Sequence, residues 1–490
     1  MQPAVLRADG AALHPSDCGP SHSGVTIGEH SSSRRDTVAR RGLTFGWGVA
    51  SLSITGVAAS IYAVASGFEL LRFDSPVGTL HLNLAIFALV SLFVLRKFKP
   101  TFSWQSAAVA ALVLCFVPSI VWSQSTTRSV AMVIRIAMVY GLIGLPLSVL
   151  YRRAPSQTIT GLISAYRVQI LIAALMWVVR FQPAGNIDTG GSRIFLLYYE
   201  PSYLAFGFAP FLVWASLQYV YCDRDPRNVF WTIADSVLVV TLLAVTQSAM
   251  VALAAVIAFG SAAIAIRRAG GLALCRYAAA TALAVTMVIG YAIRADEHTL
   301  MGRTIKGMRH ADDKVQFLLD RSQCRYPRMV AAYETMIDHP WCGVGLGAFE
   351  KYSHRVSLKQ FPTHVVRSNV HGCPATNIYA EAGAESGLLG AAALLAFGFG
   401  LVGAGLRASN YQTHRRRTAR DPATRDLIYL VPPLALATQL ILLAAESNPY
   451  RAYVWVTIGL TMGLITLSRN QSQFQRGDTS RDTKLARMPV

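Results

Sequence analysis

Arginine is the residue type whose placement in this chain most suggests chemistry. Arg128, Arg180, Arg193 and Arg451 lie at the ends of long apolar segments, whereas Arg135 and Arg167 lie inside them. A charge at bilayer depth is costly unless it is paired or faces a wet cavity. Each embedded arginine is therefore either half of a salt bridge that fixes helix packing or part of a ligand site. Taken together, the four terminal arginines and Arg135 point to an anionic ligand. The planar guanidinium matches phosphate oxygens and stays charged at any relevant pH. Glu200, followed by Pro201 and Ser202, is a further charge within an apolar segment.

The other candidates fall between Arg294 and Glu385, a mostly polar stretch with no apolar run long enough to cross a bilayer. His339, His354, His364 and His371 are there, and histidine is the usual proton carrier near neutral pH. Their spacings do not make a metal site. Arg325 to Ile337 places Met329, Ala332, Tyr333 and Met336 on one helical face, and Pro340 stops that helix. Gly343-Val344-Gly345-Leu346-Gly347 follows. Alternating glycine can cradle phosphate, but without a preceding strand the pattern reads first as a tight turn that re-aims the chain. Cys324, Cys342 and Cys373 share the stretch, so an oxidising compartment would allow one disulfide among them. Cys18, Cys115, Cys222 and Cys275 lie elsewhere, and no Cys-x-x-Cys spacing occurs.

The elements that must position these residues are membrane helices. Of 490 residues 53% are hydrophobic and only 14% charged, and the mean hydropathy is +0.39. The apolar residues come in runs of about twenty rather than in stripes, as an integral helical membrane protein requires. Residues 1–42 lack periodicity and a cleavable signal, and read as a disordered cytoplasmic tail. Twelve spans are expected, near 43–66, 78–95, 104–123, 129–150, 160–180, 194–220, 229–246, 248–266, 272–293, 384–406, 426–446 and 451–468. The eighth begins where one apolar block, 229–266, is divided at Thr246-Gln247-Ser248, because it is too long for one crossing. Residues 43–293 thus carry nine helices, 294–383 a loop domain, 384–468 three more helices and 469–490 a cytoplasmic tail.

The net charge of +19 could suggest nucleic acid, but its placement argues otherwise. With both termini inside, cytoplasmic segments hold 26 Lys and Arg against five in the short outer loops. That asymmetry is the usual topogenic signal, and it puts the large loop outside.

Three stretches resemble the O-antigen ligase and O-antigen polymerase superfamily. RYPRMVAAYETMIDHPWCGVGLGAF, from Arg325 to Phe349, is similar to that family's outer-loop signature. TNIYAEAGAESGLLG, from Thr376 to Gly390, resembles its His-Asn-x9-Gly-x-x-Gly pattern, with Asn377, Gly387 and Gly390 in register. RIFLLYYEPS, from Arg193 to Ser202, resembles its Arg-x7-Pro entry to a membrane helix. Where the ligases carry a histidine this chain has Thr376, which cannot act as a general base at neutral pH. That departure favours the polymerase branch, and so does Glu200-Pro201-Ser202.

The resemblance implies an all-α integral membrane protein with a GT-C-like fold and a large periplasmic loop. It implies a glycosyltransferase of the bacterial inner membrane that uses neither metal nor nucleotide sugar. Donor and acceptor would be oligosaccharides on undecaprenyl diphosphate, and the partners would include a chain-length regulator and a flippase. The product would be O-antigen, capsule or exopolysaccharide. Arg193 and Arg325 would hold the diphosphate, with Arg328 and Arg180 as further candidates. Positive charge there stabilises the leaving group. The base would be Glu200, His371 or His364. Two other readings stand beside this one: a ligase moving a finished glycan onto lipid or protein, and a lipid-linked glycan transporter. Twelve spans with embedded charges also suit a transporter.

Overall fold

The computed structural model describes residues 53–67, 72–75, 78–98, 104–181, 201–221, 226–246, 248–266, 325–416, 423–446 and 451–485, with a few single positions elsewhere. The regular structure in these stretches is helical apart from one antiparallel hairpin, β1 (Arg72–Ser75) with β2 (Gly78–His81), in which Arg72 pairs with His81. Before the loop the helices are α1 (Ile54–Ala65), α2 (Leu82–Phe98), α3 (Trp104–Val121), α4 (Thr126–Val139), α5 (Leu145–Arg153), α6 (Pro155–Val178), α7 (Pro201–Gly207), α8 (Ala209–Tyr221), α9 (Pro226–Thr246) and α10 (Ala249–Ile266). A π-helical turn, Tyr140–Gly144, joins α4 to α5. The loop holds α11 (Arg325–Asp338), α12 (Phe349–Tyr352) and α13 (Thr363–Asn369). Then follow α14 (Ile378–Arg416), α15 (Ala423–Leu442, extended by a 3-10 turn to Ala445) and α16 (Ala452–Leu485).

Among the described residues seven helical segments are long and apolar enough to cross a membrane, and Ile54–Ala65 and Met250–Ala262 are shorter apolar helices. The block 229–266 is divided where its length demanded, between Thr246 and Ala249. The span expected at 194–220 is two helices, α7 and α8, broken at Phe208. The span expected at 272–293 and the tail 1–42 lie outside the described residues.

The packing is that of a protein solvated by lipid. The apolar stretch of α15 is 83% buried and that of α16 78%, whereas only 28% of α3 or α14 is. Helix α8 is also central, with Phe211, Trp214 and Leu217 fully enclosed. The outer helices turn large apolar side chains such as Leu114, Val237 and Phe399 outward. Lipid accepts such a surface; water would not.

Prolines set a second constraint. A proline inside a helix leaves the carbonyl four residues earlier without its donor, and hydrocarbon offers no replacement. In three cases a polar side chain from another helix supplies it. Pro146 orphans the Leu142 carbonyl, which accepts from the Ser91 hydroxyl of α2. Pro432 orphans Ile428, whose carbonyl accepts from the Tyr151 hydroxyl of α5 at 2.9 Å. Pro210 orphans Phe206, whose carbonyl accepts from the Gln439 amide of α15 at 2.7 Å. These bonds tie the broken helices to fixed neighbours. Gln439→Leu is expected to cost about 1–3 kcal/mol, the usual cost of a buried polar group left unmade. Thermal melting of the purified protein in detergent would show it.

Candidate active site on the loop side of the bundle

The glycine turn after α11 is built around a break in α14. At Gly387 the backbone leaves the helix, with φ 69° and ψ −171°. In an unbroken helix the Leu388 N–H would go to the Ala384 carbonyl; here it goes to Pro340, at 2.8 Å. The freed carbonyls of Ala384 and Glu385 accept instead from the N–H groups of Val344 (2.9 Å) and Gly345 (2.8 Å). The Glu385 carboxylate is buried and takes the N–H groups of Phe349, at 3.3 Å, and Gly347. The turn thus spends its amide donors on the chain itself, so Gly343–Gly347 is a structural turn and not a phosphate cradle.

The other face of the turn lies on the short link between α3 and α4. The Gln124 N–H donates to the Val344 carbonyl at 2.9 Å, and the Ser129 hydroxyl to the Leu346 carbonyl at 2.8 Å. Gly345 has φ 108°, and a Cβ there would fall 2.0 Å from the Ser123 hydroxyl. Arg128 pairs with Glu350 at 2.9 Å, and Arg355 donates to the Gln124 side chain at 3.0 Å. Arg128, one of the four arginines read as an anion site, is therefore a strut between α4 and the loop.

The opposite end of α11 docks on the end of α15. Nη1 of Arg325 donates to the Ala445 carbonyl at 2.7 Å, and Nη2 lies 3.9 Å from the Glu446 carboxylate. A cation suits this place, where the carbonyls of a helix C-terminus are unpaired. Asn377 caps α14 by accepting from the N–H groups of Tyr379 and Ala380, and its amide donates to the Ala444 carbonyl at 2.8 Å. The Thr376 hydroxyl donates to the Arg325 carbonyl at 2.8 Å. Two motif stretches some fifty residues apart thus meet on one helix end. The Arg325 side chain keeps 42% of its surface exposed, so it can still reach a ligand.

Arg451 belongs to the same neighbourhood, five residues after Glu446. Its guanidinium stacks on the Tyr203 ring at 4.5 Å. Tyr453, two residues on, packs against Tyr198, Tyr203 and Phe206. Tyr198 and Tyr203, which flank Glu200 in sequence, thus both pack near the start of α16. Arg193 and Glu200 themselves lie outside the described residues.

The remaining candidates are placed differently. Nε of Arg328 donates to the Asn369 carbonyl, which ties α11 to α13. His364 is exposed on α13. His371 is half-buried, with Nε2 3.3 Å from the Val356 carbonyl and its ring 5.4 Å from that of His354. None of these described contacts reaches the Arg325–Glu446 group. Arg180 is exposed just beyond α6, with φ 53°. Tyr333, expected on the packed face of α11, is 42% exposed. Cys342 and Cys373 are free thiols, so the disulfide that the sequence allowed is not formed by either.

Two features escaped the sequence reading. Arg167 of α6 makes a buried bidentate bond to Asp235 of α9, at 2.7 Å for each contact, so it is a packing ion pair. Glu381 and Glu385 of α14 line a cavity of about 50 Å³ that is otherwise apolar, walled by Leu112, Phe116, Leu440 and Trp455 among others. The rule that a charge within an apolar span is there for a reason would have flagged Asp235 and Glu385.

No curated protein matches the chain. Residues 235–395, which run from within α9 through the loop to about the middle of α14, match the O-antigen ligase family. Members of that family are glycosyltransferase-like enzymes, ligases or polymerases, that work within membranes. The chain is a helical integral membrane protein, and the part of it from 235 to 395 is similar to the O-antigen ligase family.

Proposed function

We propose that the protein is a polysaccharide polymerase of the bacterial inner membrane. It joins undecaprenyl-diphosphate-linked repeat units on the periplasmic face. The growing glycan leaves its lipid diphosphate for a hydroxyl of the next repeat unit. Arg193 and Arg325 hold the diphosphate and stabilise the charge that develops as it departs. Arg328 and Arg180 are weaker candidates for that role, and Glu200, His371 or His364 supplies the base.

The observation that carries this reading is that Arg325 docks at the end of α15 while Arg451, at the start of α16, stacks on Tyr203 of α7. Cations collected at that level suit the diphosphate of a lipid whose tail remains in the bilayer. Thr376 supports the polymerase branch: its hydroxyl is donated to the Arg325 carbonyl and acts as a strut.

Polysaccharide length in cells tests the reading. A deletion strain should show single repeats where the parent shows long chains. Arg193→Ala or Arg325→Ala should lower polymerisation by about 10²- to 10³-fold, the loss typical of one preorganised charge donor. Arg325→Lys keeps the charge but not the fork, and should stay impaired while the protein level is normal. Long lipid-linked glycans left unattached in the deletion strain would instead make the protein a ligase. Unchanged elongation by purified variants would remove the arginines from the mechanism.

A further inference from the structure

Helix α11 is pinned at both ends to the ends of membrane helices. Arg325, its first residue, bonds to Ala445 and Glu446 where α15 finishes. Beyond its last turn, the Pro340 carbonyl accepts from Leu388, where α14 resumes after its break. Fourteen residues at 1.5 Å each span about 21 Å, the distance that the helix bridges between these attachments.

One face of α11 is already occupied. Ala332 is fully buried, Met336 meets Gly383 and Met329 meets Asn377, both on the first turns of α14 or at its cap. Another face is bare and apolar. Tyr333 and Ile337, one helical turn apart, are 42% and 72% exposed, and Trp341, in the turn just past Pro340, is 79% exposed. Glu334 and Asp338 adjoin this stripe, so one flank stays polar.

The stripe does not end at the loop. Trp341 lies directly against Gly387, whose missing Cβ would sit 2.3 Å from the Trp341 carbonyl. The next two residues, Leu388 and Leu389, are half exposed on the membrane segment of α14. Val121 and Trp122, also exposed, end α3 beside the link that is bonded to the same glycine turn. The bare face of α11 thus leads into further exposed apolar side chains at the ends of membrane helices, among them Trp341 and Trp122, and indole rings favour the headgroup boundary.

We propose that α11 and the turn that follows it lie flat in the bilayer interface, with Tyr333, Ile337 and Trp341 inserted among the lipids of the loop-side leaflet. The occupant is phospholipid: an amphipathic helix tethered at both ends needs only a shallow apolar face to stay down. The anchor fixes Arg325 at the depth of lipid phosphates. It does not depend on whether the enzyme polymerises or ligates.

The test uses the full chain in nanodiscs of phosphatidylethanolamine and phosphatidylglycerol, which leave both faces open to the medium. The tryptophan emission lost on Trp341→Phe is measured in ordinary lipids and in lipids brominated near the headgroup end of the acyl chain. Bromine quenches a lipid-inserted indole, so the loss in brominated discs should be no more than half that in ordinary discs. Iodide in the medium should quench wild type and variant alike. Ile337→Trp should add emission that follows the same pattern. Equal losses in both lipids, with iodide quenching the Trp341 signal, would put the face in water and overturn the proposal. Equal losses without iodide quenching would mean that a second copy of the chain covers it, and would overturn it too.

Discussion

Replacing Arg167 by alanine should destabilise the protein by about 3–5 kcal/mol, because it leaves the Asp235 carboxylate uncompensated within the membrane bundle. The pair is among the most enclosed charges described, with side-chain exposures of 5% and 0%. Every feature of its surroundings assumes both partners. The guanidinium makes two bonds to the carboxylate and stacks on the Trp231 ring at 4.8 Å, and the Trp214 indole donates to the same carboxylate at 3.2 Å. Thermal melting in detergent would record the loss. The double variant Arg167→Leu with Asp235→Asn removes both charges and leaves an acceptor for Trp214, so it should recover most of it. A double variant no more stable than the single would mean that the two charges do more than balance each other.

Gly387→Ala is the second large effect expected. The backbone at φ 69° and ψ −171° is open to glycine almost alone, and holding another residue there costs about 1–3 kcal/mol. Space adds to this. The new Cβ would meet the Trp341 carbonyl at 2.3 Å and the Pro340 carbonyl at 2.7 Å, and the latter is held by the Leu388 N–H. Relief requires the 340–349 segment to lift from α14, which also strips Phe349 and Gly347 from the Glu385 carboxylate. The damage should be local to the loop. Limited proteolysis is expected to cut the variant within 340–349 while the membrane helices stay intact, and long-chain polysaccharide should fall with it. An unchanged cleavage pattern would show that the break tolerates a side chain.

The parts of the fold legible in the sequence were those set by short-range rules. The division of 229–266 near Gln247 followed from the length that one crossing can use, and the structure breaks the helix at that place. The glycine turn was legible as a turn because alternating glycine permits left-handed backbone, and Gly343, Gly345 and Gly347 all adopt it. Thr376, Asn377 and Gly387 stood out through the resemblance. Their jobs did not: Thr376 braces Arg325, Asn377 caps α14, and Gly387 opens the helix that receives the turn.

Sequence by itself determined the membrane class, the division of its longest apolar block and the arginines worth asking about. Hydrophobic run length, proline and glycine act over a few residues, so their consequences are written locally. Tertiary structure decided which arginines are struts. Arg128 finds Glu350, Arg167 finds Asp235, and Arg325 finds Ala445 and Glu446, over separations of 68 to more than 200 residues. A charge in low dielectric must find a partner, and the sequence states that need without naming the partner. Only the packing of the helices brings the two together.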